Sequence, residues 1–336
     1  MAQLVFGGGT SHSPIVTLDG DMWEGYAQID KFSQGFYDTD GNFATLQELI
    51  DRAGDRYVKE SSDEYLRQQA DGIQGALDRL AADIAATAPD VLIIIGDDQL
   101  ELFGFSNMPA ISIFYGDKII SHTARQRPNL ADEIQSVVAK GHGMDEHHVW
   151  QGAGSFAREL IESLIEQGVD MGAANEVTDP TKYGFGHAFG FIITRLMGEK
   201  KIPVVPVLLN TYFPPNQPTS ARCYDIGRKL RKAIESSSSN LRVGIIASGG
   251  LSHFVTNAPL DQLVLDALRT GNGEALCTLP PHLLKEGSSE IKNWVVVAGA
   301  FEGKTTAWDE YFPVYRTLGG TGIGLAFASW GALGDS

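Results

Sequence analysis

Cysteine is scarce: the 336 residues contain two, Cys223 and Cys277. Two thiols make no disulfide framework, and their separation fits no zinc or haem motif, so a reducing compartment is expected. Basic residues are outnumbered, 26 Lys and Arg against 42 Asp and Glu, for a formal net charge of −16. A surface this acidic is a poor partner for nucleic acid or anionic lipid. Long apolar runs are missing. The longest, such as Val91 to Ile95, fall far short of the roughly 20 residues of a membrane-spanning helix. The N-terminal MAQLVFGGGTSHSP has no basic region followed by an apolar one, so no secretory leader is expected. These absences predict a cytoplasmic protein without nucleic-acid or membrane partners. Internal repeats are lacking, and the Ser236–Ser239 run reads as the end of a helix before a strand.

What is present is a large apolar fraction, 43% of the residues, ample for one sizeable core. Short Val- and Ile-rich runs bounded by turn residues read as buried strands: Leu4–Phe6, Val91–Ile95, Ala110–Tyr115, Val204–Leu209 and Val243–Ala247. Amphipathic patterns at Tyr65–Ala86, Ser155–Glu166, His187–Met197 and Ser220–Glu235 lie between them. Apolar strands alternating with helices predict an α/β fold, a mainly parallel central sheet with helices on both faces. Residues 1–336 read as a single such domain. Residues 16–60 read as an irregular insertion with one helix near Thr45–Arg52, a surface excursion first and a lid or dimer contact second. Residues 260–336 read as a helical C-terminal part of the same domain, closing on a Gly-rich turn at Gly319–Gly324. That stretch lacks the strand-turn-helix setting of a phosphate loop.

Ligands of open α/β sheets bind beyond the carboxyl ends of the strands. The polar residues expected there include His12 after the first strand and Asp97, Asp98 and Gln99 after the second. Asn210 and Tyr212 follow the fourth, and Ser252 and His253 the fifth. Asp98, Gln99, Asn210 and Tyr212 are therefore candidates to hold a substrate. Convergence of residues far apart in sequence favours a site over isolated structural histidines. His187 sits between glycines in Gly-Phe-Gly-His-Ala-Phe-Gly, which permits close approach. Tyr183, Phe185, Phe189 and Tyr212 fit either a flat pocket or core. The His142, His147 and His148 cluster reads as a polar loop rather than a metal site. His122 and His282 read as structural. Gly-Gly-Leu-Ser-His is not a nucleophile elbow.

Together, His12 in Ser-His-Ser-Pro, His187 in Gly-His-Ala-Phe-Gly, the segment Gly249–His253, and Glu286–Glu290 running on to Trp294 resemble the class III extradiol ring-cleavage dioxygenases. The likeness is to the protocatechuate 4,5-dioxygenase β-subunit and gallate dioxygenase type, and it extends over most of the chain. It implies a class III extradiol dioxygenase-like fold and a non-haem Fe(II) held by two histidines and a glutamate. It also implies a catechol-type aromatic substrate opened with O₂. By resemblance His12 is an iron ligand, His187 the acid/base and His253 a pocket residue. The family's second histidine ligand falls at Gln99 and its glutamate at Pro259, so two of three usual ligands read as replaced, with Gln99, Asp98 or Asp261 as stand-ins. Three readings stay open: a ring-cleavage dioxygenase with an altered metal site, a metal-independent hydrolase or lyase using the same histidines, and a non-catalytic subunit of a heteromeric dioxygenase. A homodimer is the default assembly.

Overall fold

A computed structural model describes residues 1–198 and 200–331. The chain opens with β1 (Gln3–Thr10), two short helical turns, α1 (Trp23–Ala27), β2 (Phe36–Tyr37), β3 (Phe43–Ala44), α2 (Leu46–Ala53) and the long α3 (Asp63–Thr87). There follow β4 (Val91–Asp97), β5 (Ile111–Phe114), β6 (Lys118–Ile120), α4 (Asp132–Gly141), β7 (Val149–Gln151), α5 (Gly154–Glu166) and β8 (Gly172–Ala174). α6 (His187–Phe191) runs on into a π-helical turn and precedes β9 (Val204–Leu209), α7 (Ser220–Ser236), β10 (Arg242–Ser248) and β11 (His253–Val255). The chain continues with α8 (Ala258–Thr270), α9 (Gly273–Cys277), α10 (Ile291–Ala300), β12 (Trp308–Tyr315) and β13 (Thr321–Ser329).

One mixed sheet runs β11-β13-β1-β10-β4-β9-β5-β8, with β12 paired to β13. Its centre, β1-β10-β4-β9, is parallel, and antiparallel pairings extend it at β13 and β5. The central strands are apolar in their interiors because both faces are covered. Val91, Ile93 and Ile95 of β4 pack into a core shared with α5, α7, α8 and α10. Leu92 and Ile94 point the other way, into a core built with α3 and α6. The α/β architecture expected from the alternation of strand and helix is the one observed. Among the described residues no helix is long and apolar enough to cross a membrane.

Three local expectations need correction. β1 does not stop at Gly7 but runs through Gly7-Gly8-Gly9 to Thr10. A Cβ on Gly9 would lie 2.5 Å from the Trp294 ring, so glycine there serves close packing rather than strand termination. β4 likewise reaches Asp97, which aims that carboxylate at the strand edge. The C-terminal part is helical only up to Ala300; residues 308–329 form the β12–β13 hairpin, and Thr321–Gly324 lie in β13 rather than in a turn. Glycine reads as a breaker in sequence, yet Gly322 faces the Val314 carbonyl and Gly324 the Asp261 carboxyl, where a side chain would not fit.

Residues 16–60 carry the expected helix, capped by a Thr45–Glu48 box. The segment is no loose excursion. Val16, Leu18, Trp23 and Tyr26 join the α3-side core. Asp30 is buried against Arg316 through two hydrogen bonds, of 2.9 and 3.1 Å, and takes a third from the Thr321 hydroxyl at 2.7 Å. This anchor holds Tyr26 and Ile29 along one wall of a large cleft.

Candidate active site and metal centre

The carboxyl ends of β1, β4, β9 and β10 open into a cleft of about 750 Å³. His12, Gln99, His187, Tyr212, His253 and Glu290 lie on its floor and walls. His12 follows β1 and is buried. Its Nδ1 lies 2.9 Å from Ser248 Oγ, whose own hydroxyl donates to the Ala188 carbonyl at 2.6 Å. Ser248 therefore accepts, His12 carries its proton on Nδ1, and the Nε2 lone pair faces Glu290 Oε2 at 3.4 Å. Burial, and then His187, His142 and His253 nearby, push the His12 pKa well down despite Glu290, which keeps the ring neutral.

Glu290 is buried immediately before α10. Its Oε2 accepts from the Gly250 N–H at 2.8 Å, and its Oε1 accepts from the Tyr212 hydroxyl at 3.0 Å. His253 Nε2 stands 3.5 Å from Oε1, with that ring's Nδ1 turned to the Leu251 carbonyl at 3.0 Å. Burial disfavours the charge, but His253 beside it and the Gly250 N–H outweigh it and hold Glu290 ionised. Asp97, also buried, meets burial and the Glu290 charge together, and its pKa rises well above the carboxylate range. Its Oδ1 has no hydrogen-bond partner. His12, Asp97 and Glu290 offer donor atoms that all lie within 4.8 Å of one another.

That donor set fits a divalent cation. A buried carboxylate oxygen without a partner costs about 1–3 kcal/mol, more if charged, and a cation between Asp97 and Glu290 removes both the vacancy and the repulsion. One neutral imidazole and two carboxylates suit iron or manganese rather than a thiolate-seeking metal.

His187 begins α6. Its Nδ1 lies 2.7 Å from Glu101 Oε1 and its Nε2 3.4 Å from the Gln99 amide nitrogen. Its ring stands edge-on to His12, centroids 4.6 Å apart. Burial lowers its pKa, but Glu101, Asp97 and Glu290 outweigh this and raise it to about 9.

The residues expected from sequence divide. His12, His187, His253, Gln99 and Tyr212 meet in the cleft. Gln99, expected as a stand-in ligand, turns its amide nitrogen to Asp97 Oδ2 at 3.3 Å and Glu290 Oε1 at 3.5 Å; it acts as a donor between the two carboxylates. Asp98 accepts the Leu102 and Phe103 backbone N–H groups, at 2.8 and 3.0 Å, and stays outside the cleft lining. Asn210 is spent on its own turn, bonding Phe213 and Asn216. Asp261 is no ligand: it is buried on Ser252 and the Tyr311 hydroxyl, at 2.7 to 2.9 Å. Pro259 lies in α8, and the glutamate found in the cluster with His12 is Glu290. Of the aromatics, Phe185 and Phe189 are core, Tyr183 is exposed and Tyr212 lines the cleft. His142, read as part of a polar loop, is buried beside the cleft, 6.0 Å from the His187 ring. His148 pairs with Asp145 and belongs to the loop, as expected.

Reasoning from sequence missed Asp97 and Glu290 as donors, although Glu290 closed a segment of the resemblance, and it missed Glu101 altogether. A charged residue directly before the largely apolar helix Ile291–Ala300 was the available signal for Glu290. Asp261→Ala is expected to destabilise the fold by about 3 kcal/mol, because three buried donors lose their acceptor. Metal content of the folded fraction should not change. A chemical melt with metal analysis checks both; loss of metal without loss of stability would restore Asp261 as a ligand.

The model of the family "Catalytic LigB subunit of aromatic ring-opening dioxygenase" matches residues 56–326. His12 precedes the matched stretch, whereas Asp97, Glu101, His187, His253 and Glu290 lie within it. A gallate dioxygenase from Pseudomonas putida is 35% identical over 161 residues, 44% of this chain and 45% of that protein. The match thus spans less than half the length of that relative. With the family model covering most of the sequence and the sheet's carboxyl edge carrying the clustered histidines and carboxylates, the chain belongs to the LigB family of aromatic ring-opening dioxygenases.

Proposed function

We propose that this protein is a ring-cleavage dioxygenase for a catechol-type or related hydroxylated aromatic, with Fe(II) held by His12, Asp97 and Glu290. The observation that carries the reading is that His12, Asp97 and Glu290 each bring a donor atom within 4.8 Å of the others, with Asp97 Oδ1 buried and unpartnered. Bound there, Fe(II) would supply open positions for the two oxygens of a diol and for O₂. This assignment differs from the two-histidine set implied by resemblance, since Asp97 takes the place expected of a residue at 99.

The chain's own groups do the proton work. His187 Nε2 is the base for a substrate hydroxyl and later returns that proton as an acid. Its raised pKa reflects Glu101, Asp97 and Glu290, and a cation taking up the charges of the latter two would lower it from there. His253, its Nδ1 fixed on the Leu251 carbonyl, turns Nε2 to the cleft to bind substrate. Tyr212 orients Glu290 through its hydroxyl. Tyr26, Ile29, Phe254 and Ile323 give the cleft its apolar walls. The same reading makes the protein cytoplasmic and, by default, a homodimer.

His253→Ala is expected to weaken catechol binding or turnover at least about tenfold, the loss of one hydrogen bond to a charged or polarised group. His282→Ala, at a position outside the cleft, should leave both near wild type. Oxygen uptake with catechol and with carboxylated catechols, on protein reconstituted anaerobically with iron, measures the effect. Equal responses of the two variants would remove His253 from the pocket assignment. Uptake by none of these diols, with iron bound, would turn the search to O₂-independent acid/base chemistry.

A further inference from the structure

We infer that Glu101 is the positioning residue of the acid/base histidine: it takes the His187 Nδ1 proton and thereby turns a fixed Nε2 lone pair into the cleft. The inference rests on the reading of His187 as the acid/base group. Two contacts set the tautomer from opposite sides. Glu101 Oε1, 2.7 Å from Nδ1, can only accept once ionised. On the far side the Gln99 amide nitrogen faces Asp97 Oδ2, Glu290 Oε1 and His187 Nε2, at 3.3 to 3.5 Å. The two carboxylate oxygens identify this atom as the amide nitrogen, which can only donate, so the neutral ring's Nε2 facing it accepts.

Glu101 is itself held rigidly. It is buried, and its Oε2 accepts the Gln99 backbone N–H at 2.6 Å. Its carbonyl accepts the Gly184 N–H at 2.9 Å, which ties it to the segment that presents His187. Gly186 approaches so closely that a Cβ there would collide with the Glu101 carboxyl. Burial raises the Glu101 pKa, but the His187 imidazole and the hydrogen bonds from His187 and Gln99 bring it below the usual carboxylate value.

This arrangement makes Glu101→Gln an unusually informative change. The amide has one acceptor oxygen where the carboxylate has two. The Gln99 backbone N–H cannot reverse, so it claims that oxygen, and the new NH₂ group faces His187 Nδ1. The imidazole must then accept at Nδ1 and carry its proton on Nε2, which leaves no lone pair toward the cleft. An analogous carboxylate-to-amide change behind the histidine of a Ser-His-Asp triad costs about 10⁴ in kcat by imposing the wrong tautomer.

The experiment combines kinetics with a readout independent of turnover. ¹⁵N spectra of histidine-labelled, metal-free protein are recorded against pH, with His187 identified by the signals lost in His187→Gln. In the wild type the neutral ring should carry its proton on Nδ1, and in Glu101→Gln on Nε2. With iron-loaded protein and a turning-over catechol, Glu101→Gln should lower kcat about 10²–10⁴-fold with KM little changed, and Glu101→Asp should recover part of the loss. An unchanged tautomer in Glu101→Gln overturns the inference even if activity falls. A reversed tautomer with unchanged kcat also overturns it as a catalytic role, and in that case the fault lies with His187 as the acid/base rather than with the Glu101–His187 bond. Should Glu101→Gln fail to fold, Glu101→Asp decides by the same two readings, with a wild-type kcat and an unshifted His187 signal counting against it.

Discussion

Glu290→Gln is expected to cost metal affinity about 10²–10³-fold and to remove turnover, while the protein stays folded. The carboxylate sits among five groups, His12, His253, Tyr212, the Gln99 amide and the Gly250 N–H. The amide matches it in volume, so packing against Gly249 and Gly250 is kept. What goes is one of the two carboxylate charges that a bound cation would meet. Losing one partner of a buried charge pair is worth about 3–5 kcal/mol, or two to three and a half decades in a binding constant. Removing the charge also relieves the repulsion that lifts Asp97, so the metal-free variant should be no less stable than metal-free wild type. Isothermal titration with Fe(II) or Mn(II) under anaerobic conditions, beside a thermal melt, separates the two quantities. Wild-type affinity in a folded Glu290→Gln protein would take Glu290 out of the metal site and return attention to Gln99.

The second large effect concerns the proton. His187→Ala should lower kcat about 10²–10⁴-fold, the usual worth of positioned acid/base catalysis, and leave metal binding within a few-fold. His187 touches the His12 ring edge-on but gives no donor atom to the His12–Asp97–Glu290 group. Its removal deletes one partner of the Glu101 pair and opens room for water, so a modest fall in stability is expected as well. Steady-state oxygen uptake with metal analysis on the same sample is the measurement. A variant that turns over at the wild-type rate would remove His187 from the mechanism.

Much of this architecture was legible from sequence because the parallel strands are covered on both faces. Continuous apolar runs such as Val91–Ile95 and Val204–Leu209 have few alternatives, and Val204–Leu209 matches its strand residue for residue. The amphipathic patterns located the helices, whose starts the structure sets at caps the pattern did not use, Ser62 for α3, Thr219 for α7 and Thr45 for α2. Glycine misled in two places for one reason: in β1 and β13 it answers to a neighbour's bulk, Trp294 or Asp261, which no local pattern reveals. The same hidden partners explain the hairpin β12–β13, whose glycines mimic a turn.

The site was legible to the extent that its groups follow strands directly. His12, Tyr212 and His253 do so, and flanking glycines marked His187. The rule failed where a polar residue after a strand serves its own backbone, as Asp98 and Asn210 do. It failed again for Glu290, which reaches the site from the start of a helix on the other side of the α8–α9 excursion. Counting forward from Gly249–His253 to Pro259 could not anticipate that path. Asp97 was in view, but only the extension of β4 by two residues shows that its side chain, and not that of Gln99, offers the open oxygen.

The central claim is that His12, Asp97 and Glu290 form a metal centre, and its most direct test is the metal content of wild type and Asp97→Asn purified side by side. Both would be prepared anaerobically with iron supplied, and folding verified by melting. The account predicts about one iron per wild-type chain, as expected for a single facial set of donors, and strong depletion in Asp97→Asn with the fold intact. A folded wild-type protein that takes up no divalent metal would contradict it, and so would full iron content in the Asp97→Asn variant.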